Sequence, residues 1–169
     1  AIKLYKKIKY YTYRSQAQNN IKLLKKEYIH FEVKKLFFST EKPIINVKVR
    51  NSKKFKVNIY KINLLDYFYK THSIRGVENL DILLIRPDKT FEHKVKDFKK
   101  FKTHKIKLNL PIDKTGGYVI QVITKKHAST ALVLKSNIAL LNRSTRENAF
   151  IYIKNLASKK GQANAKIYI

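Results

Sequence analysis

Five histidines, eleven carboxylates and a run of cations interleaved with tyrosines are the residues of this chain that could do chemistry. His30, His72, His93, His104 and His127 are scattered. None is grouped with another His or with carboxylates in a metal-binding pattern. Glu92 and His93 are adjacent, yet on a strand neighbouring side chains point to opposite faces, so the two could not share a ligand. Asp66, Glu78, Asp81, Asp88 and Asp97 sit among lysines. They read as surface ion-pair partners more readily than as paired acid–base catalysts. Thr115-Gly116-Gly117 has neither the glycine spacing nor the Lys-Ser/Thr ending of a phosphate-binding loop. The chain contains no Cys, which excludes disulfides, thiolate metal sites and a Cys nucleophile or thioester within it. These residues point to a non-catalytic protein with no cofactor.

The strongest binding signal is charge. Thirty-eight Lys and Arg against eleven Asp and Glu give a net charge of +27. Such a field attracts any polyanion, including nucleic acid, acidic glycans and anionic headgroups. The densest stretch is KLYKKIKYYTYR at 3–14, where Lys3, Lys6, Lys7, Lys9 and Arg14 alternate with Tyr5, Tyr10, Tyr11 and Tyr13. Cations combined with stacking rings also make single-stranded nucleic-acid sites. However, only six of the basic residues are Arg, whereas bidentate phosphate and base recognition favours Arg. The Gly-aromatic strand motifs of RNA readers are missing as well, which disfavours nucleic acid as partner. Lysine abundance alongside Ile, Asn, Tyr and Phe also fits AT-rich codon usage, with Lys on solvated positions. On that reading Lys48, Lys56, Lys105 and Lys107 scatter over several surfaces.

The elements that must position these residues follow from periodicity. At 169 residues the chain amounts to one ordinary domain or somewhat more. No run approaches the ~18 apolar residues of a membrane helix. An Ala at position 1 and the absence of Met read as a mature or excised piece. Ala17, Ile21, Leu24 and Tyr28 predict a short amphipathic helix over about 15–27. Two-residue alternation then takes over. Ile45, Val47 and Val49 precede Phe55, Val57 and Ile59, with Asn51–Lys53 as a hairpin turn. Leu65, Phe68 and Tyr69 predict a helical turn within 64–76, and Pro87-Asp88 a hairpin joining 81–86 to 90–95. Strands follow at 105–110, 117–124 and 128–134, and the alternation continues through Ile138, Ile151, Ile153, Ile167 and Ile169. The pattern is that of an all-β antiparallel sandwich with a short N-terminal helix. It divides the chain into an N-terminal basic segment and helix (1–26), a sandwich (27–135) and the opening strands of a second, incomplete sandwich (136–169).

One turn is sharply defined. In LNLPIDKTGGYVIQV, Pro111 cannot donate to a ladder, Gly116 and Gly117 permit positive φ, and Tyr118 opens the next strand. This is the arrangement of a tyrosine corner. It predicts a hydrogen bond from the Tyr118 hydroxyl to a backbone group within 110–114.

From Arg14 to Leu134 the chain resembles the early region of the large bacterial alpha-2-macroglobulin-like proteins. The resemblance rests on the helix SQAQNNIKLLKK entering the strand IHFEV, on Pro43 with VKVRN and FKVNIYKI, and on KLNLPIDKTGGYVIQV and STALVLKSNIALL. The last stretch, AFIYIKNLASKKGQANAKIYI, is similar to the start of the family's next macroglobulin domain, although its turn reads Ser158, Lys159, Lys160 and Gly161. The resemblance implies serial macroglobulin-type sandwiches with fibronectin-III-like architecture. It also implies a periplasmic or extracellular protein that traps proteases by bait cleavage and collapse, in many members with thioester capture. The implied partners of this stretch are neighbouring macroglobulin-type domains of the same parent chain, and proteases. Its implied role is that of a structural and interaction module; the alternative is a basic sandwich that binds polyanions.

Overall fold

The computed structural model describes residues 1–8, 11–80 and 85–168. The chain opens with two helices, α1 (Ile2–Lys6) and α2 (Tyr11–Lys25), where the apolar spacing had indicated one helix over 15–27. The second helix starts earlier because no Gly or Pro interrupts residues 11–15. Its C-terminus is closed from outside. Arg50 Nη2 donates to Leu23 O at 2.7 Å, and Asn51 Nδ2 donates to Leu24 O at 2.7 Å and Lys26 O at 3.0 Å, satisfying carbonyls that a helix end leaves open.

Two sheets follow. The first is antiparallel in the order β1 (Tyr28–Val33), β3 (Ile44–Arg50), β6 (Thr103–Asn109). The second runs β2 (Leu36–Phe37), β8 (Ala128–Lys135), β7 (Gly116–Ile123), β4 (Lys54–Ile62), β5 (Lys89–Lys94), antiparallel except for the short parallel β2–β8 pair. Ile45, Val47 and Val49 face Val57, Ile59, Ile120 and Val122 across the interior, all at most 1% exposed. Each contributes ~1.5–3 kcal/mol of burial. This facing arrangement corrects the hairpin expected at Asn51–Lys53: β3 and β4 are consecutive but belong to different sheets. Two strands whose apolar sides must meet each other cannot lie edge to edge, and Asn51, at φ 59°, turns the chain across the core.

The far face of the second sheet is also covered. Asn63 caps α3 (Leu64–Thr71) by accepting from Asp66 N, and a 3-10 turn at Val77–Asn79 then brings Val77 to full burial. Tyr60 and Val119 are buried beneath Ile62 and Leu80. Asn58 and Gln121, also buried there, satisfy one another at 3.2 Å, and Thr90 donates to Asn58 Oδ1 at 2.6 Å. The strand expected over 81–86 falls largely on residues 81–84, outside the described residues; Ile85 and Arg86 are not in a strand. The hairpin expected at Pro87-Asp88 needs that strand and so also falls outside the described residues; Asp88 aligns β5 on β4, its N–H bonding Ile59 O at 2.9 Å and its carboxylate accepting Lys61 N–H at 2.6 Å.

Beyond β8 the chain forms a third, antiparallel sheet of β9 (Ile138–Ser144), β10 (Ala149–Asn155) and β11 (Lys160–Gly161). The alternation around Ala165 and Ile167 does not make a strand, because Asn164 at φ 55° turns the chain after β11; Ile169 lies outside the described residues. Tyr168 instead sets its ring edge-on to Tyr69 of α3, centroids 5.4 Å apart.

Candidate functional site

Of the residues singled out in the sequence, Pro111, Gly116, Gly117 and Tyr118 meet at the end of the sandwich from which the third sheet departs. Pairing of β6 stops at Asn109, after which Leu110 N bonds Pro43 O at 2.8 Å. Pro111 follows with its ring outward and its carbonyl taken by Lys89 Nζ at 2.6 Å, and Ile112, 3% exposed, plugs the core. Tyr118 is buried and its hydroxyl donates to Lys114 O at 2.9 Å. Burial pushes the phenol's pKa up, and the neighbouring Asp88 and Asp113 charges add to this.

The glycines differ in what they do. Gly116 sits at φ 146°, where a side chain would be strained. Gly117 is not at positive φ, contrary to expectation. Its need for glycine is steric, since a Cβ there would lie 2.5 Å from Leu64 Cδ1 at the start of α3.

A residue the sequence reading passed over completes the turn. Lys135 is 4% exposed and its ammonium donates to Ile112 O at 2.9 Å and Asp113 O at 3.2 Å. The carbonyls of three successive residues, 112 to 114, are thus held by side chains from β7 and β8. The signal was present in the parity: Ala131, Val133 and Lys135 share the inward face of β8.

From this turn the chain passes directly into the third sheet, and Asn137 links the two parts. Its side-chain oxygen accepts from Ser39 N at 3.1 Å and its carbonyl from Leu156 N at 2.7 Å, while Ser136 N bonds Phe37 O at 2.9 Å. Between them lies a cleft of about 900 Å3, bordered by Leu36, Ile62, Leu64, Gly117, Leu134 and Ile138. Past the cleft both faces of the third sheet carry apolar side chains in the open. Leu140 shares a face with Ile153, and Leu141 with Tyr152 and Phe150. Leu140 is 57% and Phe150 60% exposed, whereas Ile151 and Ile153 are half-buried.

The N-terminal cations are not gathered into this site. Lys3 and Lys6 lie on α1 with Lys7 just after it, all exposed, and Arg14 is exposed on α2; Lys9 and Tyr10 are outside the described residues. The continuous run is split between two helices, with the Tyr5 ring on one and Tyr13 on the other. Lys48, Lys105 and Lys107 occupy the outer face of the first sheet, where Lys48 pairs with Glu32, and Lys56 lies on the second sheet.

The histidines are spread among aromatic and turn environments. His93 lies against Phe55 with ring centroids 5.3 Å apart, His104 stacks on Phe98 at 5.9 Å, and His72 ends α3 in a left-handed conformation. The ion pairs join Lys34, Lys48, Lys54 and Lys89 to Glu41, Glu32, Glu92 and Asp113. Of the acids expected to pair, Asp66 and Asp88 instead accept from the Asn63 amide and the Lys61 N–H. No described helix is long and apolar enough to cross a membrane.

No protein-family model matches the chain, and no curated protein sequence matches it. Two solved structures share its fold. A crystal structure of native alpha-2-macroglobulin from Escherichia coli spanning domains NIE-MG1 aligns over 82% of this chain and 74% of its own, with TM-score 0.56 and 14% identity. A structure of the same protein spanning domains MG0-NIE-MG1 aligns over 80% of this chain with TM-score 0.58, again at 14% identity, and this chain spans about half of it (47%). Mixed sheets facing across one core, short helices and a trailing third sheet therefore make up a macroglobulin-like fold.

Proposed function

We propose that this chain is a non-catalytic structural and interaction module of an alpha-2-macroglobulin-like, envelope-associated protease-trapping protein. Its division is a helical segment at 1–26, a complete sandwich at 27–135 and the opening strands of the next sandwich from 136. The observation that carries this reading is the third sheet, apolar on both faces and tied to a finished sandwich through Asn137. A sheet of that kind gains stability only when another layer covers it. Likeness to chains spanning two and three serial domains supports a neighbouring macroglobulin-type domain as that layer. The Tyr118 corner, with Pro111, Gly116 and Gly117, gives the junction a fixed geometry, which is what a scaffold needs to hold a neighbour at a set angle.

The test of the trapping role uses the polypeptide produced from its native reading frame and a general protease. Hydrolysis of a large protein substrate should be blocked while a small peptide substrate is still cleaved. Equal hydrolysis of both in its presence contradicts the reading.

A further inference from the structure

The other end of the sandwich carries a concentration of cations that the strand faces do not. The registers fix which connections share that end. Tyr28 is opposite Arg50, Arg50 opposite Thr103, Lys54 opposite Lys94, Lys56 opposite Ile123, and Ile123 opposite Ala128. The α2–β1 junction, the β3–β4 crossing, the β5–β6 loop and the β7–β8 turn therefore lie together. Each carries a Lys-Lys pair, at 25–26, 53–54, 99–100 and 125–126, and all of these lysines are exposed. The chain has seven such pairs, so more than half of them meet at one end although they are distant in sequence. The facing acids are Glu27, Glu92 and Asp97, of which Glu92 pairs with Lys54 at 2.9 Å.

A second observation singles out the loop tip. Phe101, between Lys100 and Lys102, is 42% exposed and held at φ 66°, a left-handed backbone that phenylalanine adopts at a cost. Its N–H donates to Asn51 Oδ1 at 2.7 Å, and the amide of the same Asn51 holds Leu24 O and Lys26 O. One side chain thus ties three of the four lysine-bearing connections together, and the exposed Phe101 ring sits in the loop that bears Lys99, Lys100 and Lys102.

The chemistry of the array selects its partner. Lysine ammoniums are point charges without the planar fork that reads phosphates or bases in fixed geometry, and Arg50, the arginine here, is spent on Leu23 O. The nearby cleft of about 540 Å3 includes Lys53, Lys54, Lys56 and Lys125 but also Glu27 and Glu92, carboxylates that would repel a polyanion strand laid along it. The loop tip has no such cleft requirement. Diffuse cations around one exposed ring suit a headgroup layer, where the charges add and the ring seats at the interface. We propose that this end of the sandwich docks on a membrane surface rich in anionic phospholipid, with Phe101 entering the headgroup layer. The proposal goes beyond the module reading and does not depend on it.

The test is co-sedimentation of the full 169-residue chain with vesicles of phosphatidylcholine alone or mixed equally with phosphatidylglycerol. Binding is expected to the anionic vesicles only and to weaken steeply with salt. The double reversal K99E/K100E should lower partitioning about tenfold or more. K6E/K7E, the same charge change on α1, should lower it no more than about twofold, and Phe101→Ser about threefold at unchanged charge. All five substituted residues are exposed, and an unchanged melting temperature verifies that each variant is folded. Equal losses for K99E/K100E and K6E/K7E would reduce the effect to net charge and overturn the site. So would saturable, salt-resistant binding to heparin or single-stranded DNA in place of vesicles.

Discussion

Val47 in β3 and Ile151 in β10 belong to strands with the same two-residue apolar alternation and end in different surroundings. Val47 is fully buried between two sheets; Ile151 is half-buried and its strand neighbours Phe150 and Tyr152 stand exposed. Nothing local separates the two strands, which are seven residues each and paired in full register on an antiparallel partner. The difference is a facing layer. Alternation states which side of a strand seeks cover, and only topology decides whether cover is supplied. The sandwich supplies its own, while the third sheet stays half open among the described residues, and the proposed module reading assigns its missing cover to a neighbouring domain.

The largest effect that would sharpen the contrast is truncation of matched side chains. Phe55→Ala, in the core at 2% exposure, should cost ~3–5 kcal/mol, against under ~0.5 kcal/mol for Phe150→Ala, both by chemical denaturation. Similar losses at the two sites would place Phe150 in a packed interior and break the comparison. Next in size, Gly117→Ala should destabilise by about 1–2 kcal/mol, because its Cβ must displace Leu64. The companion Leu64→Ala in that background should recover part of the loss, which a backbone-strain origin would not allow.

Tyr118→Phe should cost about 1 kcal/mol by leaving the carbonyl of Lys114 without its donor. A pH series adds a sign. The native-state pKa of Tyr118 lies above its ordinary value of 10.0, so its contribution is complete below pH 10 and is lost as pH rises through the native value. Tyr118→Phe should flatten that alkaline fall, and an unchanged slope would show the phenol to be unperturbed. The smallest change is Glu32→Gln. Lys48 lowers the pKa of Glu32 through a hydrogen bond and charge, so the pair's contribution is lost as pH falls through the carboxylate range. Both groups are exposed, and the shift in melting temperature should be smaller than for Tyr118→Phe.

Much of this was legible in the residues. Strong alternation located β3, β4 and β6 to β8 within a residue or two, and the Pro-x4-Gly-Gly-Tyr spacing led to the Tyr118–Lys114 bond. What escaped reading depended on contacts between distant segments. A two-residue strand such as β2 has no period to detect. Asn51 reads as a turn former, yet its side chain bonds both α2 and Phe101, which pulls the crossing between sheets. Gly117 resembles a flexible turn glycine until Leu64 is placed above it, and Lys135 resembles a solvated lysine until the loop carbonyls fold over it. The charge was visible as a total; its collection at one end came from strand register.

Native-state hydrogen exchange on the intact chain tests the central claim most directly. The account predicts that amides of β3, β4 and β7 exchange only on global unfolding, while those of β9 and β10 open at a far lower free energy. Equal protection of the two regions at every protein concentration would contradict it, by showing that the third sheet is already complete without a neighbour.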